Sequence, residues 1–371
     1  MKKLYALFLL LILSYKCTSP SKKTTPTKEV TTSTIKYANG FDIRTENGEK
    51  KLIVKRVFQK GNKTTTYTLG ATTDIEGNSL QVPVENIVVT STSHIPMLEL
   101  LQAEKRIVGF PNTRYISSEK TRQRIADGLI VDLGSERSMN TEKLLELNPA
   151  LVVGFSLHPN NKLYENIKKA GIPVLYNGEW LEETPLGRAE WLKFFGVLLG
   201  KEKEADSIFN HIEQEYLNAK KLAQNAQHKP TVLSGSLYKD VWNVPAGNSY
   251  TARFFKDANL DYFWSDTSGT GSLQLGFESV LEKGQHATYW IKCGSYGTKE
   301  QMLTANKNYA EFDAFKQNKL YSIGVHRGPT GGIIYYEQSP VRPDLVLKDL
   351  VKITQPEILP DYELHFFSPL Q

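Results

Sequence analysis

Residues 139–155 read MNTEKLLELNPALVVGF, and residues 276–292 read GFESVLEKGQHATYWIK. In each stretch a short amphipathic segment leads into an apolar run, which predicts a helix followed by a buried strand. Glu142 and Glu278 are separated by 136 positions, as are Glu146 and Glu282, so Glu142 and Glu278 correspond and both are expected in the first turn of their helix. A repeat of helix and buried strand indicates two related α/β halves.

Apolar strand candidates recur through both halves of the chain, with helical segments between them. In the first half they are Ile87–Val89, Arg106–Phe110, Leu129–Leu133, Leu151–Phe155 and Pro173–Tyr176. In the second half they are Thr231–Tyr238, Leu260–Trp264, Ala287–Lys292 and Lys319–Ile323. Short apolar strands that alternate with helices indicate parallel sheets covered on both faces. The sequence therefore predicts an α/β fold of two Rossmann-like lobes, over residues 85–200 and 229–371.

A long helix is predicted between the two lobes, over residues 201–228. Small and apolar residues recur there at three- and four-residue steps, namely Ala205, Ile208, Ile212, Tyr216, Ala219 and Ala223. Residues 201–227 contain neither Gly nor Pro, so nothing in the sequence interrupts the helix. One continuous helix of this kind would join the lobes as a stiff strut.

The N-terminus predicts export and a lipid anchor. Lys2 and Lys3 precede an apolar run that is too short to span a bilayer and has the length of a signal-peptide core. Cys17 and a Ser/Thr/Lys/Pro-rich stretch follow, as in bacterial lipoproteins, although Lys16 is not the small residue usual before the cysteine. We predict a lipoprotein signal peptide over residues 1–17, lipidation of Cys17 and a disordered tether over residues 18–35. An uncleaved N-terminal anchor is the alternative.

Residues 36–84 predict an N-terminal β-ribbon extension. Short β-rich runs alternate there with turn signals such as Asn47-Gly48, and the segment reads as extended and polar. The second cysteine of the chain, Cys293, lies in the second lobe, far from Cys17 and beyond any processing site. We therefore expect Cys293 to pack as a small buried apolar residue rather than to form a disulfide.

Composition and motifs argue against several classes of protein. A formal net charge of +5 over 371 residues, with lysines scattered among acids, does not make a nucleic-acid footprint. The seven histidines lack zinc-site spacings, although a ligand set assembled through space stays open. No serine-hydrolase, phosphate-loop or dinucleotide motif occurs. We expect a protein that is not an enzyme and has no resident metal or cofactor.

Together these residues resemble the class III periplasmic binding proteins, which serve importers of ferric siderophores, haem and cobalamin. The resemblance runs from about Val84 to the C-terminus and rests on order and spacing rather than on one motif. Its strongest stretches are residues 83–89, 122–134, 139–149, 170–174 and 342–360. It implies two lobes with a cargo cleft between them, and it implies an ABC permease dimer with its ATPase subunits as partners.

The resemblance also gives the repeated glutamates a role. In the family, residues at the positions of Glu142 and Glu278 form salt bridges with arginines of the two permease subunits. A carboxylate that stabilises the N-terminus of its own helix is the simpler interpretation of the same two residues. Both interpretations stay open, and permease docking is the prediction that the resemblance implies.

Ligand contacts are predicted in loops that follow strands, because parallel α/β sheets bind ligands at the carboxyl ends of their strands. On the first lobe the candidates are His94, Tyr115 and Phe155. On the second lobe they are Tyr238, Trp242, Arg327, Tyr335 and Tyr336. Aromatic rings suit flat or macrocyclic cargo, and an arginine suits a cargo carboxylate. Ligation of a haem iron by His94 or His326 stays open.

The predicted function is that of an exported, lipid-anchored substrate-binding protein of an ABC importer. Its cargo would be a small-molecule chelate that contains iron or cobalt: a ferric siderophore, haem or cobalamin. Two alternatives stay open. One is a secreted hydrolase whose carboxylate pair is hidden among the 40 acidic residues, and the other is a surface lipoprotein that scavenges its ligand without an importer.

Overall fold

A computed structural model describes residues 33–60, 64–70, 72, 78–135, 138–159 and 161–371. The predicted signal peptide, Cys17 and most of the predicted tether therefore lie outside the described residues. The last residues of that tether make defined contacts, since Lys193 Nζ donates a 3.2 Å hydrogen bond to the Thr34 carbonyl. None of the helices in the described ranges combines the length and the apolar character that a membrane crossing requires.

The predicted β-ribbon is a four-stranded sheet. Its strands, in sheet order, are β1 (Phe41–Glu46), β2 (Glu49–Val54), β3 (Thr65–Gly70) and β4 (Ser79–Gln81). Alternate residues such as Leu52 and Tyr67 are buried, and Phe41 packs 4.6 Å from Trp191 between ring centroids. The segment is therefore not the polar extension that its sequence suggests, because one face of the sheet completes the core of the first lobe.

The first lobe is built on a parallel sheet of five strands with the order β11-β10-β5-β6-β7. Apolar clusters cover both faces of this sheet, as its uninterrupted apolar strands require. In chain order its elements are β5 (Ile87–Val89), α1 (His94–Leu100), β6 (Ile107–Phe110), α2 (Glu119–Ala126), β7 (Val131–Asp132), β8 (Gly134–Ser135), β9 (Ser138–Met139), α3 (Thr141–Leu147), β10 (Leu151–Gly154), α4 (Lys162–Lys169), β11 (Val174–Tyr176), α5 (Pro185–Glu190) and α6 (Leu192–Leu199).

The long helix follows as α7 (Glu202–Gln224), 23 residues without interruption. The second lobe has the sheet order β15-β12-β17-β18-β19, parallel except for its last strand. In chain order its elements are β12 (Thr231–Ser234), β13 (Leu237–Tyr238), β14 (Val241–Pro245), α8 (Tyr250–Asp257), β15 (Asp261–Tyr262), β16 (Ser272–Leu275), α9 (Phe277–Gly284), β17 (Tyr289–Ile291), α10 (Lys299–Ala305), α11 (Asp313–Lys316), β18 (Leu320–Ser322), α12 (Ile334–Gln338), α13 (Pro343–Thr354) and β19 (Ser368–Pro369).

The predicted strand Thr231–Tyr238 is divided between two sheets. It breaks at Gly235, whose φ is +85° and whose missing side chain leaves room for the Asn243 carbonyl, 2.2 Å from where a Cβ would stand. Such a backbone favours glycine because L residues rarely adopt it. Beyond the break, β13 joins β14 and β16 in a small antiparallel sheet.

The two lobes touch each other directly as well as through α7. The long helix packs on α6 of the first lobe and on α13 of the second. A loop of the second lobe crosses to the first, where Thr330 Oγ1 donates a 2.6 Å hydrogen bond to the Arg114 carbonyl. Glu337 on α12 accepts hydrogen bonds from the backbone N–H groups of Ser117 and Ser118. These contacts hold the carboxyl ends of the two parallel sheets toward a common cleft.

Candidate functional site

A cavity of about 280 Å³ opens in the first lobe where β5, β6, β10 and β11 end. We call it the N cavity. Its walls come from the end of β6, the start of α1 and the segments that follow these strands. The wall residues are Thr90, Ser91, Thr92, His94, Phe110, Pro111, Asn112, Tyr115, Phe155, Asn177, Glu179 and Trp180. Hydroxyl and amide groups alternate with aromatic rings, a combination that binds a ligand with both polar and flat apolar parts.

A larger cavity of about 630 Å³, the C cavity, lies in the second lobe beyond the ends of β12, β17 and β18. Its walls come from the ends of these strands and the loops after them, from the small antiparallel sheet, and from residues of α8 and α12. The residues are Ser234, Gly235, Ser236, Leu237, Tyr238, Asn243, Pro245, Ser249, Tyr250, Thr251, Thr270, Gly271, Ser272, Lys292, Gly294, Ser295, Tyr296, Ile323 and Tyr336. Four tyrosines and several hydroxyl groups make this half similar in character to the N cavity.

Arg188 connects the two cavities. Its Nε lies 3.6 Å from Glu179 Oε2 in the wall of the N cavity, and its guanidinium lies 3.9 Å above the ring of Tyr250 in the wall of the C cavity. Its Nη2 donates a 2.8 Å hydrogen bond to the Trp180 carbonyl. One side chain therefore contacts walls of both halves, which makes the cavities neighbouring parts of one interlobe cleft.

The two halves of the cleft carry opposite charges. Glu179 is the acidic side chain among the N cavity walls, and burial raises its pKa, although the nearby Arg188 opposes this. Lys292 is the basic side chain among the C cavity walls, and burial lowers its pKa. Its ammonium group lies 4.8 Å from the Tyr335 ring centroid and 5.9 Å from that of Tyr336, and it forms no ion pair with any carboxylate the structure describes. A cargo with an unevenly distributed charge would complement these walls.

A family model described as periplasmic binding protein matches residues 87–325, which include every wall residue of the N cavity and all but Tyr336 of the C cavity. The chain belongs to the periplasmic binding proteins. The family and the structural neighbours are solute-binding proteins, not enzymes. The predicted family and the predicted two-lobed α/β fold are thereby confirmed.

Similar proteins agree with this assignment. An uncharacterized lipoprotein of Methanocaldococcus jannaschii is 27% identical over 350 residues, which cover 89% of this chain and 81% of that protein. A possible iron-binding, periplasmic solute-binding protein of Staphylococcus epidermidis shares the fold with a TM-score of 0.58, 15% identity and coverage of 74% and 99% of the two chains. The periplasmic haem-binding protein HutB of Vibrio cholerae has a TM-score of 0.56, 17% identity and coverage of 71% and 99%.

Five of the eight residues predicted to contact cargo line the cleft of this binding protein. His94, Tyr115 and Phe155 are in the N cavity, and Tyr238 and Tyr336 are in the C cavity. Tyr115, Tyr238 and Tyr336 are more than half exposed, so their rings are free to contact a ligand. His94 is buried, and burial lowers the pKa of its imidazole to about 3, an effect that the neighbouring Asn177 side chain partly offsets. Its ring is therefore neutral near pH 7.

The other three predicted residues are placed elsewhere. Trp242 is fully buried in the core of the second lobe, stacked 5.2 Å from Trp290, with its Nε1 donating to the Ser234 carbonyl. Tyr335 is buried against Phe366 and Phe367. The guanidinium of Arg327 donates to the carbonyls of Gly324, Gly331 and Ser295, which shapes its own loop and leaves less of it for a cargo carboxylate.

Asn177, Glu179, Trp180 and Lys292 are among the cleft residues that the sequence prediction did not name as ligand contacts. Asn177, Glu179 and Trp180 follow β11, and Lys292 follows β17. Asn177 and Lys292 stand immediately after a strand, as Phe155 does, so a search of every residue at the end of a strand, whatever its type, would have found them. Trp180 is a partly exposed wall residue of the N cavity.

The two repeated glutamates lie on the surface. Glu142 is in the first turn of α3 and Glu278 in the first turn of α9, and both side chains are exposed. Asn140 already caps α3 by accepting from the Lys143 N–H, so this helix does not need the carboxylate as a cap. Both glutamates are therefore accessible to a partner, and their role in docking stays a prediction.

Metal-ligating side chains do not cluster in the part of the chain that the structure describes. Within the described residues, no group of three or more His, Cys, Asp or Glu side chains could hold a metal ion. His326 is not a wall residue of either cavity, and its Nε2 lies 2.8 Å from Ser368 Oγ. Cys293 is a free thiol in the core of the second lobe, as predicted.

Proposed function

We propose that this chain is the exported, lipid-anchored cargo-binding component of an ABC importer, and that it carries a metal chelate in the interlobe cleft. The cargo would be a ferric siderophore, haem or cobalamin. The observation that carries the proposal is the cleft itself, in which two cavities at the carboxyl ends of paired parallel sheets are connected by Arg188. The relatives described as lipoproteins support export and anchoring.

The walls of the cleft favour a cargo of this kind. Exposed tyrosines on both lobes, with Phe155 and Trp180 packed 5.3 Å apart between ring centroids, offer rigid area to a flat or macrocyclic ligand. Lys292 offers a cation that has no carboxylate partner among the described residues, and an anionic group of the cargo beside it would favour the charged form that burial disfavours. Neighbours named for iron and for haem support a metal-containing cargo.

Delivery follows from the two-lobed form. The permease dimer would contact Glu142 on one lobe and Glu278 on the other, and ATP hydrolysis by the ATPase subunits would favour separation of the lobes. The partner needs only to bind the open form better than the closed one, because an equilibrium shifts by the difference in affinity for its two states.

Isothermal titration calorimetry of the full-length chain against a ferric siderophore, haemin and cyanocobalamin tests the proposal. We expect one of them to bind saturably at one site and to be recovered unchanged after long incubation. For an anionic cargo, Lys292→Met should weaken binding about tenfold or more. Lys256→Met, an exposed lysine of the same lobe outside the C cavity, should have no effect. Absence of binding to all three compounds, or conversion of one of them, would contradict the proposal.

A further inference from the structure

Unpaired polar atoms are concentrated at the N cavity. His94 Nδ1, Asn177 Nδ2 and Trp180 Nε1 are buried and have no hydrogen-bond partner within the described residues, and neither has Glu179 Oε2, whose ion-pair partner Arg188 Nε lies 3.6 Å away, beyond hydrogen-bond distance. All four side chains are walls of this one cavity, and His94, Asn177 and Glu179 are 1%, 1% and 5% exposed. Buried polar groups are nearly always paired in folded proteins, because an unpaired one loses its hydration without compensation. A polar molecule bound in the N cavity would supply the missing partners.

The four atoms define what that molecule must offer. Asn177 Nδ2 and Trp180 Nε1 only donate, Glu179 Oε2 accepts, and His94 Nδ1 does either according to its tautomer. The side-chain oxygens Asn177 Oδ1 and Glu179 Oε1 already have hydrogen-bond partners. Asn177 Oδ1 accepts from the Glu179 N–H at 2.9 Å, which fixes the orientation of the amide, and Glu179 Oε1 accepts from Ser93 Oγ at 2.8 Å. A complementary group must both accept and donate hydrogen bonds.

A carboxylate does not meet this requirement. It brings acceptors only, and it would face the carboxylate of Glu179. Arg188 does not turn this repulsion into attraction, since its Nε lies beside Glu179, its Nη2 donates to the Trp180 carbonyl and its flat face covers Tyr250. A primary carboxamide does meet it, because its oxygen accepts from the indole and amide N–H groups while its NH2 donates to the carboxylate and the imidazole.

We propose that His94, Asn177, Glu179 and Trp180 form a carboxamide-binding subsite, so that the uncharged, amide-bearing end of the cargo enters the N cavity. This inference rests on the proposed function and narrows its cargo to chelates with peripheral carboxamides, as opposed to chelates with peripheral carboxylates. A negatively charged group elsewhere on the same cargo would then lie beside Lys292 in the C cavity.

Calorimetric titration of the full-length chain with three probes tests the subsite. Cyanocobalamin carries peripheral primary amides, haemin carries two carboxylates, and a ferric trihydroxamate siderophore carries neither group at its periphery. We expect the chain to bind cyanocobalamin, and to bind at least one of its separated monocarboxylic acids about tenfold to a hundredfold more weakly. Glu179→Gln should weaken cyanocobalamin binding by a similar factor and reduce the discrimination against the acid.

Two further variants keep the test independent of folding. Glu183→Gln changes an exposed neighbour that pairs with Arg56 outside the cavity, and it should leave every affinity unchanged. Trp180→Phe removes the indole N–H together with one of the two fused rings, keeps an aromatic ring at this partly exposed position, and should weaken cyanocobalamin binding several-fold. Cyanocobalamin binding that is indifferent to both Glu179→Gln and Trp180→Phe would overturn the subsite. Tight binding of haemin or of the trihydroxamate alone would overturn the subsite but support the proposed function, whereas binding of none of the three would overturn both.

Discussion

Glu337 and Ser117, 220 positions apart in the chain, meet where the lobes touch, and Glu337 Oε2 accepts a 2.7 Å hydrogen bond from the Ser117 N–H. Its Oε1 accepts a second hydrogen bond, of 2.9 Å, from the Ser118 N–H. Burial raises the pKa of Glu337 to about 7, an effect that the two N–H groups partly offset and the nearby Glu99 reinforces. The contact between the lobes thus contains a carboxyl group that titrates near neutral pH.

This contact predicts a pH dependence of stability. The pKa of Glu337 is about 7 in the folded chain and 4.5 as the ordinary value, so between these limits the folded chain holds a proton that the unfolded chain releases. The contribution to the free energy of unfolding is fully present below pH 4.5 and is lost as the pH rises through 7. This difference in pKa corresponds to about 3 kcal/mol in the free energy of unfolding.

Urea unfolding of the wild type and of Glu337→Gln at several pH values between about 4.5 and 8 measures the effect. The loss of stability toward high pH should be smaller in the variant by about 3 kcal/mol. Because Glu99 faces the same contact, Glu99→Gln serves as the comparison and should retain most of the wild-type slope. Equal slopes for the wild type and Glu337→Gln would show that this carboxyl group is not the source of the pH dependence.

The segment before β1 predicts a second effect on stability. The fully buried carboxylate of Glu190 accepts hydrogen bonds from the N–H groups of Lys36, Tyr37 and Ala38, and Lys193 Nζ lies 3.3 Å away. Glu190→Ala leaves three N–H groups without a partner and removes one of the two carboxylates beside the buried Lys193 ammonium, so the free energy of unfolding should fall by about 3–5 kcal/mol. Exposed Glu183, changed to Ala, should cost less than about 1 kcal/mol. Denaturant unfolding of both variants measures the two losses of stability, and similar losses would contradict the prediction.

Much of the architecture was predictable, because local patterns determine it. The apolar runs that became β5, β10 and β17 and the unbroken periodicity of α7 are properties of neighbouring residues. The cleft was harder, because a loop residue after a strand points either into the cleft or into the core, and only packing decides. Trp242 illustrates this, since the small sheet formed after Gly235 carries its ring into the core. Lys292 and Glu179 stand out because they are charged groups whose pKa is shifted by burial, and the local sequence does not indicate burial.

The burial of Trp242 predicts that substitutions at this position change stability but not cargo affinity. Its ring is fully buried among Trp290, Tyr309 and Phe312, with centroids 5.2, 5.7 and 5.5 Å away. Trp242→Ala should lower the free energy of unfolding by about 3–5 kcal/mol, because it opens a cavity in the core. Trp242→Phe should lose less, since most of the ring volume remains. Cargo affinity measured on the folded Trp242→Phe variant should be within about twofold of the wild type, and a larger loss would reinstate the tryptophan as a ligand contact.

The exposed glutamates predict a separation between cargo affinity and delivery. If Glu142 and Glu278 dock the permease, the double Ala variant should bind cargo normally but lose binding to the permease complex by about tenfold or more. Glu146 and Glu282 stand one turn further along the same two helices and are also exposed, so their double Ala variant is a control of equal charge. Calorimetry measures cargo affinity, and surface plasmon resonance against the permease complex in nanodiscs measures docking. Equal losses in the two double variants would reveal a general effect of charge, and reduced cargo affinity in the first would place these glutamates in ligand binding instead of docking.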